Sequence, residues 1–228
     1  MSIGVQVLGN SGSDYAGSSV RQTLTQAYTL DEETQYVIVV VSSSSSPDFS
    51  QATIDGETMD VLGLEENGGR LQVFGLDILN TPVASSGNIS VTASASANNR
   101  SYMAWYGLTS VSVDTPVSPQ TSVSGTISNI NPTTEGAALV IGTDYSSSVS
   151  FLEADLSGAS FIDKTNHSFV SGNNAQLGVC FRDSPVGIID WDSDCLCYLV
   201  LDILEFVVKH VQWFPDSSLV LHPQEELP

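Results

Sequence analysis

Basic side chains are nearly missing from this sequence. Four Arg and two Lys, Lys164 and Lys209, stand against 26 Asp and Glu, leaving a formal charge of −20 over 228 residues. A compact chain of 24.2 kDa exposes roughly 10,000 Å², which puts one net negative charge on about every 500 Å². That density repels phosphate, so it excludes recognition of DNA or RNA through a basic groove and disfavours approach to an anionic membrane. The charge is −8 over residues 1–100 and −12 over 101–228, so it is spread along the chain and no separate acidic tail exists. Excess carboxylate with little Lys suits brine or sea water, where ions screen self-repulsion, and equally describes an acidic domain from an ordinary host.

Other absences narrow the class. Cys occurs three times, at Cys180, Cys195 and Cys197, an odd and late set that forms no disulfide framework and reads as small buried apolar residues. The first fifteen residues hold no Lys or Arg and no apolar run of seven, so no secretory signal is expected. Leu196 to Leu201 is the longest apolar stretch and reaches Val208 only across Asp202 and Glu205, too short and too acidic to span a bilayer. Charged residues make up 14% of the chain, against about 25% in an average domain.

Ser and Thr fill that gap, with 35 and 16 copies, and they alternate with apolar residues. Val20, Gln22, Leu24, Gln26, Tyr28 and Leu30 interleave with Arg21, Thr23, Thr25, Ala27 and Thr29. Ile89, Val91, Ala93 and Ala95 interleave with Ser90, Thr92, Ser94 and Ser96. Both segments read as strands with one face toward a core. Gln35 to Val41 is apolar on both faces, which predicts a central strand between layers. Asp55-Gly56 forms the two-residue turn of a hairpin over Ala52 to Met59. The strand after it, to Leu62, is expected to end in a loop from Gly63 to Gly69.

Further strands are predicted at Ile3 to Leu8, Arg70 to Leu76, Ser101 to Leu108, Val123 to Ser128, Ala137 to Thr143, Ser148 to Glu153, Ala175 to Arg182 and Val186 to Trp191. Cys195 to Gln212 fits either a helix, with Asp202, Glu205, Lys209 and Gln212 on one stripe, or a strand. The strand is preferred because everything upstream alternates. Short strands between Gly, Asn, Pro and Ser turns give an all-β antiparallel sandwich, jelly-roll or Ig-like, over residues 1–206, and no repeat of 20 to 50 residues is visible. Residues 207–228, with three Pro and the apolar patch Leu219, Val220 and Leu221, read as an extended C-terminal arm.

Candidate chemistry is sparse. Gly9-Asn-Ser11-Gly12 lacks a preceding His, the three His being His167, His210 and His222, and no Gly-x-Ser-x-Gly elbow occurs, so no enzyme is expected. Asp190, Asp192 and Asp194 alternate as oxygen ligands to Ca²⁺ would. Cys195 and Leu201 stand where an EF-hand needs Gly and Glu, and a solvated acidic turn is the simpler reading. No Cys/His set has zinc spacing, and no other cofactor is implied. Among 26 carboxylates no pair is singled out for glycoside hydrolysis, and Glu32-Glu33 and Glu65-Glu66 read as solvated loop residues. Tyr102 and Tyr106 share one strand face and Trp105 takes the other. Core packing plus one surface aromatic is expected there, with a sugar platform as the alternative.

The order of segments carries a resemblance. Ala52 to Met59, Leu71 to Leu76, Gly87 to Ala93, Tyr106-Gly-Leu108 followed by Asp114-Thr-Pro116, and Gly136 to Ile141 resemble jelly-roll or Ig-like sandwich domains of virion structural proteins of tailed phages and of bacterial surface proteins. The likeness covers residues 35 to 206 and rests on hairpin and core positions, so it transfers no functional residue. It implies a non-enzymatic structural or binding role. The missing signal and the charge then point to a virion exterior, as a capsid decoration or head-fibre protein contacting the major capsid protein or other virion proteins. A dimer or trimer is expected. Trp213, Phe214, Leu219, Val220 and Leu221 of the arm are the candidate subunit contacts. The alternative is a tail-fibre or host-recognition module that binds carbohydrate through loops such as Glu65 to Gly69 or Asn98 to Arg100.

Overall fold

The computed structural model describes residues 4–14, 21–43, 49–66, 70–96, 100–109, 120–122, 126–130, 136–144, 160–168, 174–182, 186–190 and 197–204. Side chains are described within 4–11, 23–43, 49–64, 71–93 and 101–109. Every regular element among these residues is a β-strand. The first nine are β1 (Gly4–Asp14), β2 (Arg21–Thr29), β3 (Tyr36–Ser43), β4 (Phe49–Ile54), β5 (Glu57–Thr58), β6 (Asp60–Glu66), β7 (Arg70–Asp77), β8 (Ser86–Ser96) and β9 (Arg100–Thr109). They form sheet 1, in the order β1-β9-β3-β7-β6, and sheet 2, in the order β2-β8-β4-β5, with all pairings antiparallel.

This order is that of a chain doubled over and rolled up. β1 pairs with β9, β2 with β8, β3 with β7 and β4 with β5, which is the jelly-roll arrangement carrying β6 as one extra edge strand. Of the two sandwich types open at the sequence level, the pairing of first with last strand selects the jelly roll.

Local chemistry explains the elements. In β2 and β8 the alternation holds: Leu24, Tyr28, Ile89, Val91 and Ala93 are buried, while Thr23, Thr25, Ala27, Thr29 and Asn88 are exposed. Together with Val37, Val39, Val41, Phe74, Leu76, Met103 and Trp105 of sheet 1 and Phe49, Ala52 and Ile54 of β4, they make the core between the two sheets. Asp55 (φ 51°) and Gly56 (φ 89°) make the tight turn with positive φ at both central residues that Asp-Gly predicts. A Cβ at Gly56 would meet nothing within 4 Å, so a substitution there probes backbone conformation alone. Gly56→Ala should therefore cost about 1–2 kcal/mol, read as a lower urea midpoint at unchanged slope.

The central strands of sheet 1, β9, β3 and β7, are buried on both faces. Seven consecutive residues of β3, Val37 to Ser43, are buried, as the two-sided apolar run predicts as far as Val41, and the strand continues through two serines beyond it. On the face away from sheet 2, Ile38, Val40, Leu71, Val73, Tyr102, Ala104, Tyr106 and Leu108 are at most 1% exposed. The expected surface aromatic does not exist: Trp105 packs between the sheets and both tyrosines fill the second face.

The remaining strands are β10 (Gln120–Ser122), β11 (Thr126–Ile130), β12 (Gly136–Asp144), β13 (Ser160–Ser168), β14 (Asn174–Arg182), β15 (Val186–Asp190) and β16 (Cys197–Leu204). They pair among themselves, as sheet 3 in the order β10-β16-β12-β14-β13 and sheet 4, β11-β15. No ladder among the described residues joins them to β1–β9. β16 approaches β6 and β7, and β13 approaches β1, so sheet 3 meets sheet 1 along its β1 and β6–β7 sides.

Three expectations need correction. Gly63 opens no loop: β6 runs on to Glu66 because a bulge between Val61 and Gly63 absorbs one residue and restores pairing with β7. The strand predicted as Val123 to Ser128 is described only from Thr126 and runs on to Ile130, as β11, while 123–125 lie outside the described residues. Ser160–Ser168 is a strand that its polar sequence hid. Cys197–Leu204 is a strand, as preferred, while 205–212, the predicted strand at 148–153 and the arm at 207–228 lie outside the described residues.

Candidate functional site

The outward side of sheet 2 is an array of hydroxyl and amide groups. Register places Thr23 beside Thr92, Thr25 beside Ser90 and Ala27 beside Asn88, with Gln51 and Thr53 of β4 on the far side of β8 and Thr58 beyond. Neighbouring hydroxyls are tied across strands: Thr25 Oγ1 to Ser90 Oγ at 2.9 Å and Thr23 Oγ1 to Thr92 Oγ1 at 3.3 Å. Gln51 Nε2 donates to Thr58 Oγ1 at 3.2 Å. Each such hydroxyl pair spends one donor and one acceptor and keeps a second proton and further lone pairs for a partner or water.

What sets this face apart is charge. Every charged side chain among those described is acidic: Asp31, Glu32, Glu33, Asp55, Glu57, Asp60 and Asp77. None stands in these rows. Asp31 to Glu33 occupy the exposed connection between β2 and β3, and Asp60 and Asp77 belong to sheet 1. Asp55 sits at the hairpin corner, and Glu57 is the register partner of inward-facing Ile54. A neutral surface patch on a chain of charge −20 is where another macromolecule can approach with the least electrostatic cost.

The two corners flanking the array are built for rigidity. Tyr28 reaches past Gly87 to donate to the Ala84 carbonyl at 2.9 Å, and a Cβ on Gly87 would lie 3.1 Å from the Tyr28 oxygen. Burial, and then the Asp55 carboxylate, raise the Tyr28 phenol above its ordinary value. Inside the sandwich, buried Gln72 of β7 accepts the Phe49 backbone N–H through Oε1 at 3.1 Å, which pins the edge of sheet 2 to sheet 1.

Two carboxylates, Asp60 and Asp77, act on Tyr36. Its ring lies over Gly75, where a Cβ would come within 2.7 Å of Cε1. Burial, followed by the Asp60 and Asp77 carboxylates, pushes the Tyr36 phenol up to about 12. Asp77 is committed to its own turn: Oδ1 accepts the N–H groups of Leu79 at 2.8 Å and Asn80 at 3.2 Å. Among the described residues no three His, Cys, Asp or Glu come together as metal ligands.

The sign of the Tyr36 shift fixes a pH dependence. Its folded value lies above the unfolded 10, so its share of stability is complete below pH 10 and is lost as pH rises toward 12. Tyr36→Phe should flatten the fall in unfolding free energy across that window relative to the unsubstituted chain, measured by urea titration at a series of pH values.

Buried polar atoms without partners do not add up to a pocket. Gln6 Oε1 and Thr34 Oγ1 both face Gly107, but a Cβ there would already lie 3.3 and 3.2 Å from them, leaving less room than a methyl group needs. The sequence-level candidates separate: Asp190 ends β15 in register with Thr126, while Asp192, Asp194, Trp213, Phe214, Leu219, Val220 and Leu221 lie outside the described residues. Of the carbohydrate-loop candidates, Glu65 and Glu66 are in β6 and Arg100 opens β9, and 67–69 and 97–99 lie outside the described residues. Among the described residues no helix is long and apolar enough to cross a membrane. The chain matches no family model, no curated protein and no solved structure.

Proposed function

We propose that this chain is a non-enzymatic structural protein on the outside of a tailed-phage-type virion, a decoration or head-fibre protein that binds the major capsid protein. The observation carrying this reading is a hydroxyl-lined face of sheet 2 whose described rows, from Thr23 to Ala27 and from Asn88 to Thr92, bear no charge on an otherwise acidic jelly roll. The acidic remainder keeps neighbouring copies apart and away from packaged nucleic acid, and the neutral face supplies the contact. Backbone-rigid strands hold its donors and acceptors in fixed rows, so docking orders few side chains. The C-terminal arm, residues 207–228, is the proposed second contact, and no cofactor is required.

The same hydroxyl face favours one rival, a tail-fibre or host-recognition module that reads a neutral glycan. Copy number separates the two. Quantitative mass spectrometry of purified particles should find the chain in hundreds of copies, with immunogold label over the head. A few dozen copies or fewer, labelled at the tail, would establish the rival, and its absence from particles would end both readings.

A further inference from the structure

Two sets of strands, one before Thr109 and one after Gln120, share more than class. Sheet 1 runs β1-β9-β3-β7-β6 and sheet 3 runs β10-β16-β12-β14-β13. With β10 set on β1, β11 on β2, β12 on β3, β13 on β6, β14 on β7, β15 on β8 and β16 on β9, the two orders coincide. The β11–β15 pair of sheet 4 then falls on the β2–β8 pair of sheet 2. Every described ladder after residue 120 has its counterpart before residue 109.

Register agrees as well as order. The β3–β9 ladder runs from Tyr36 opposite Leu108 to Ser43 opposite Ser101, and the β12–β16 ladder from Gly136 opposite Leu204 to Thr143 opposite Cys197. Setting Tyr36 on Gly136 and Leu108 on Leu204 superposes these ladders pair for pair. The same shift of β9 onto β16 puts Asn10 opposite Ala104 onto Gln120 opposite Val200. Each set also has a bulge in the corresponding edge strand, between Val61 and Gly63 opposite Phe74 and Val73, and between Phe161 and Asp163 opposite Cys180 and Val179, one ladder position apart once Val73 is set on Cys180.

We infer that residues 4–109 and 120–204 are two copies of one jelly-roll unit, packed through their equivalent five-stranded sheets, so that one chain supplies what a one-unit protein would reach by dimerising. The buried second face of sheet 1 is the independent sign. A lone jelly roll with Ile38, Val40, Leu71, Val73, Tyr102 and Tyr106 facing outward would expose an apolar patch that demands a partner. The repeat makes sheet 3, which approaches β1, β6 and β7, that partner within the same chain. The layers then run sheet 2, sheet 1, sheet 3, sheet 4, and the two smaller sheets face outward at opposite ends. Such a molecule offers related faces in opposite directions and is suited to bridge two copies of one partner. Only the naming of that partner as capsid protein rests on the function proposed above.

The test is an experimental structure of the full chain by crystallography or cryo-electron microscopy. The repeat requires β12, β14 and β16 to superpose on β3, β7 and β9 with Gly136 on Tyr36 and Val200 on Ala104. It also requires sheet 3 against the face bearing Ile38 and Val40. A different strand order after residue 120, or that face open to solvent, would overturn it. Absence of the chain from virions would leave the repeat standing and remove only the partner's name.

Discussion

Val40→Asp should unfold the chain as completely as Val39→Asp, although the two side chains leave β3 on opposite faces. In a sandwich with one solvated side, the outward position of a strand accepts a carboxylate at a cost within about 0.5 kcal/mol. Here Val39 lies in the core between sheets 1 and 2, and Val40 is fully buried on the other face. An unpaired carboxylate at either place loses its hydration, and among the described side chains of sheets 1 and 2 no basic group stands to pair with it. Each substitution should cost more than about 4 kcal/mol, a large part of the 5–15 kcal/mol that holds a typical domain together. Thr25→Asp, in the exposed hydroxyl array, is the control and should stay within about 0.5 kcal/mol. Circular dichroism against urea reads all three. A mild Val40→Asp beside a severe Val39→Asp would mean that sheet 1 has only one buried face.

That prediction uses a feature already legible in the sequence. The run from Tyr36 to Val41 has no polar residue on either parity, and a strand of that kind belongs between layers. The alternations of β2 and β8 and the Asp-Gly turn were legible for the same reason: period two and positive φ are local properties that a few residues settle. Strand order is not local. Whether β1 meets β9 or another strand depends on contacts about a hundred residues apart, so jelly-roll and Ig-like sandwiches read alike along the chain.

The repeated order was hidden by divergence. Aligned by register, 36–43 and 136–143 share only Val40 with Val140, and 101–108 and 197–204 share only Tyr102 with Tyr198 and Leu108 with Leu204. What persists is apolar character at alternate positions, which any strand shows. The candidate site was half legible. Thr23, Thr25, Ser90 and Thr92 were visible as the polar parity of two strands, but a solvated face was their ordinary reading. Only pairing β2 with β8 and β8 with β4 shows that their described outward side chains form rows without charge. Gly63 misled because glycine next to acidic residues usually ends a strand, whereas here it follows a bulge that lets the strand continue.

Close approach of backbone to a ring supplies the second large effect, and it can be assigned to a pair of residues. β1 shifts register between Val7 and Gly9, and the indole of Trp105 lies across Gly9. A Cβ there would sit 2.5 Å from Trp105 Cζ2, 2.9 Å from Cε2 and 3.2 Å from Cη2. The ring cannot swing aside as a flexible chain end would. It is 4% exposed in a core shared with Met103 and Val39, so Gly9→Ala must displace either the strand or the indole. Overpacking of this kind costs about 1–3 kcal/mol, and the upper end is expected because the obstacle is rigid. Trp105→Leu removes the obstacle and opens a cavity, with a cost of its own of about 2–4 kcal/mol. In that background Gly9→Ala should cost less than in the unsubstituted chain, the gap being the coupling between the two positions and the remainder the strain of a side chain at φ 159°. Equal costs in both backgrounds would show that Gly9 is needed for the backbone path of the bulge and not for the ring above it.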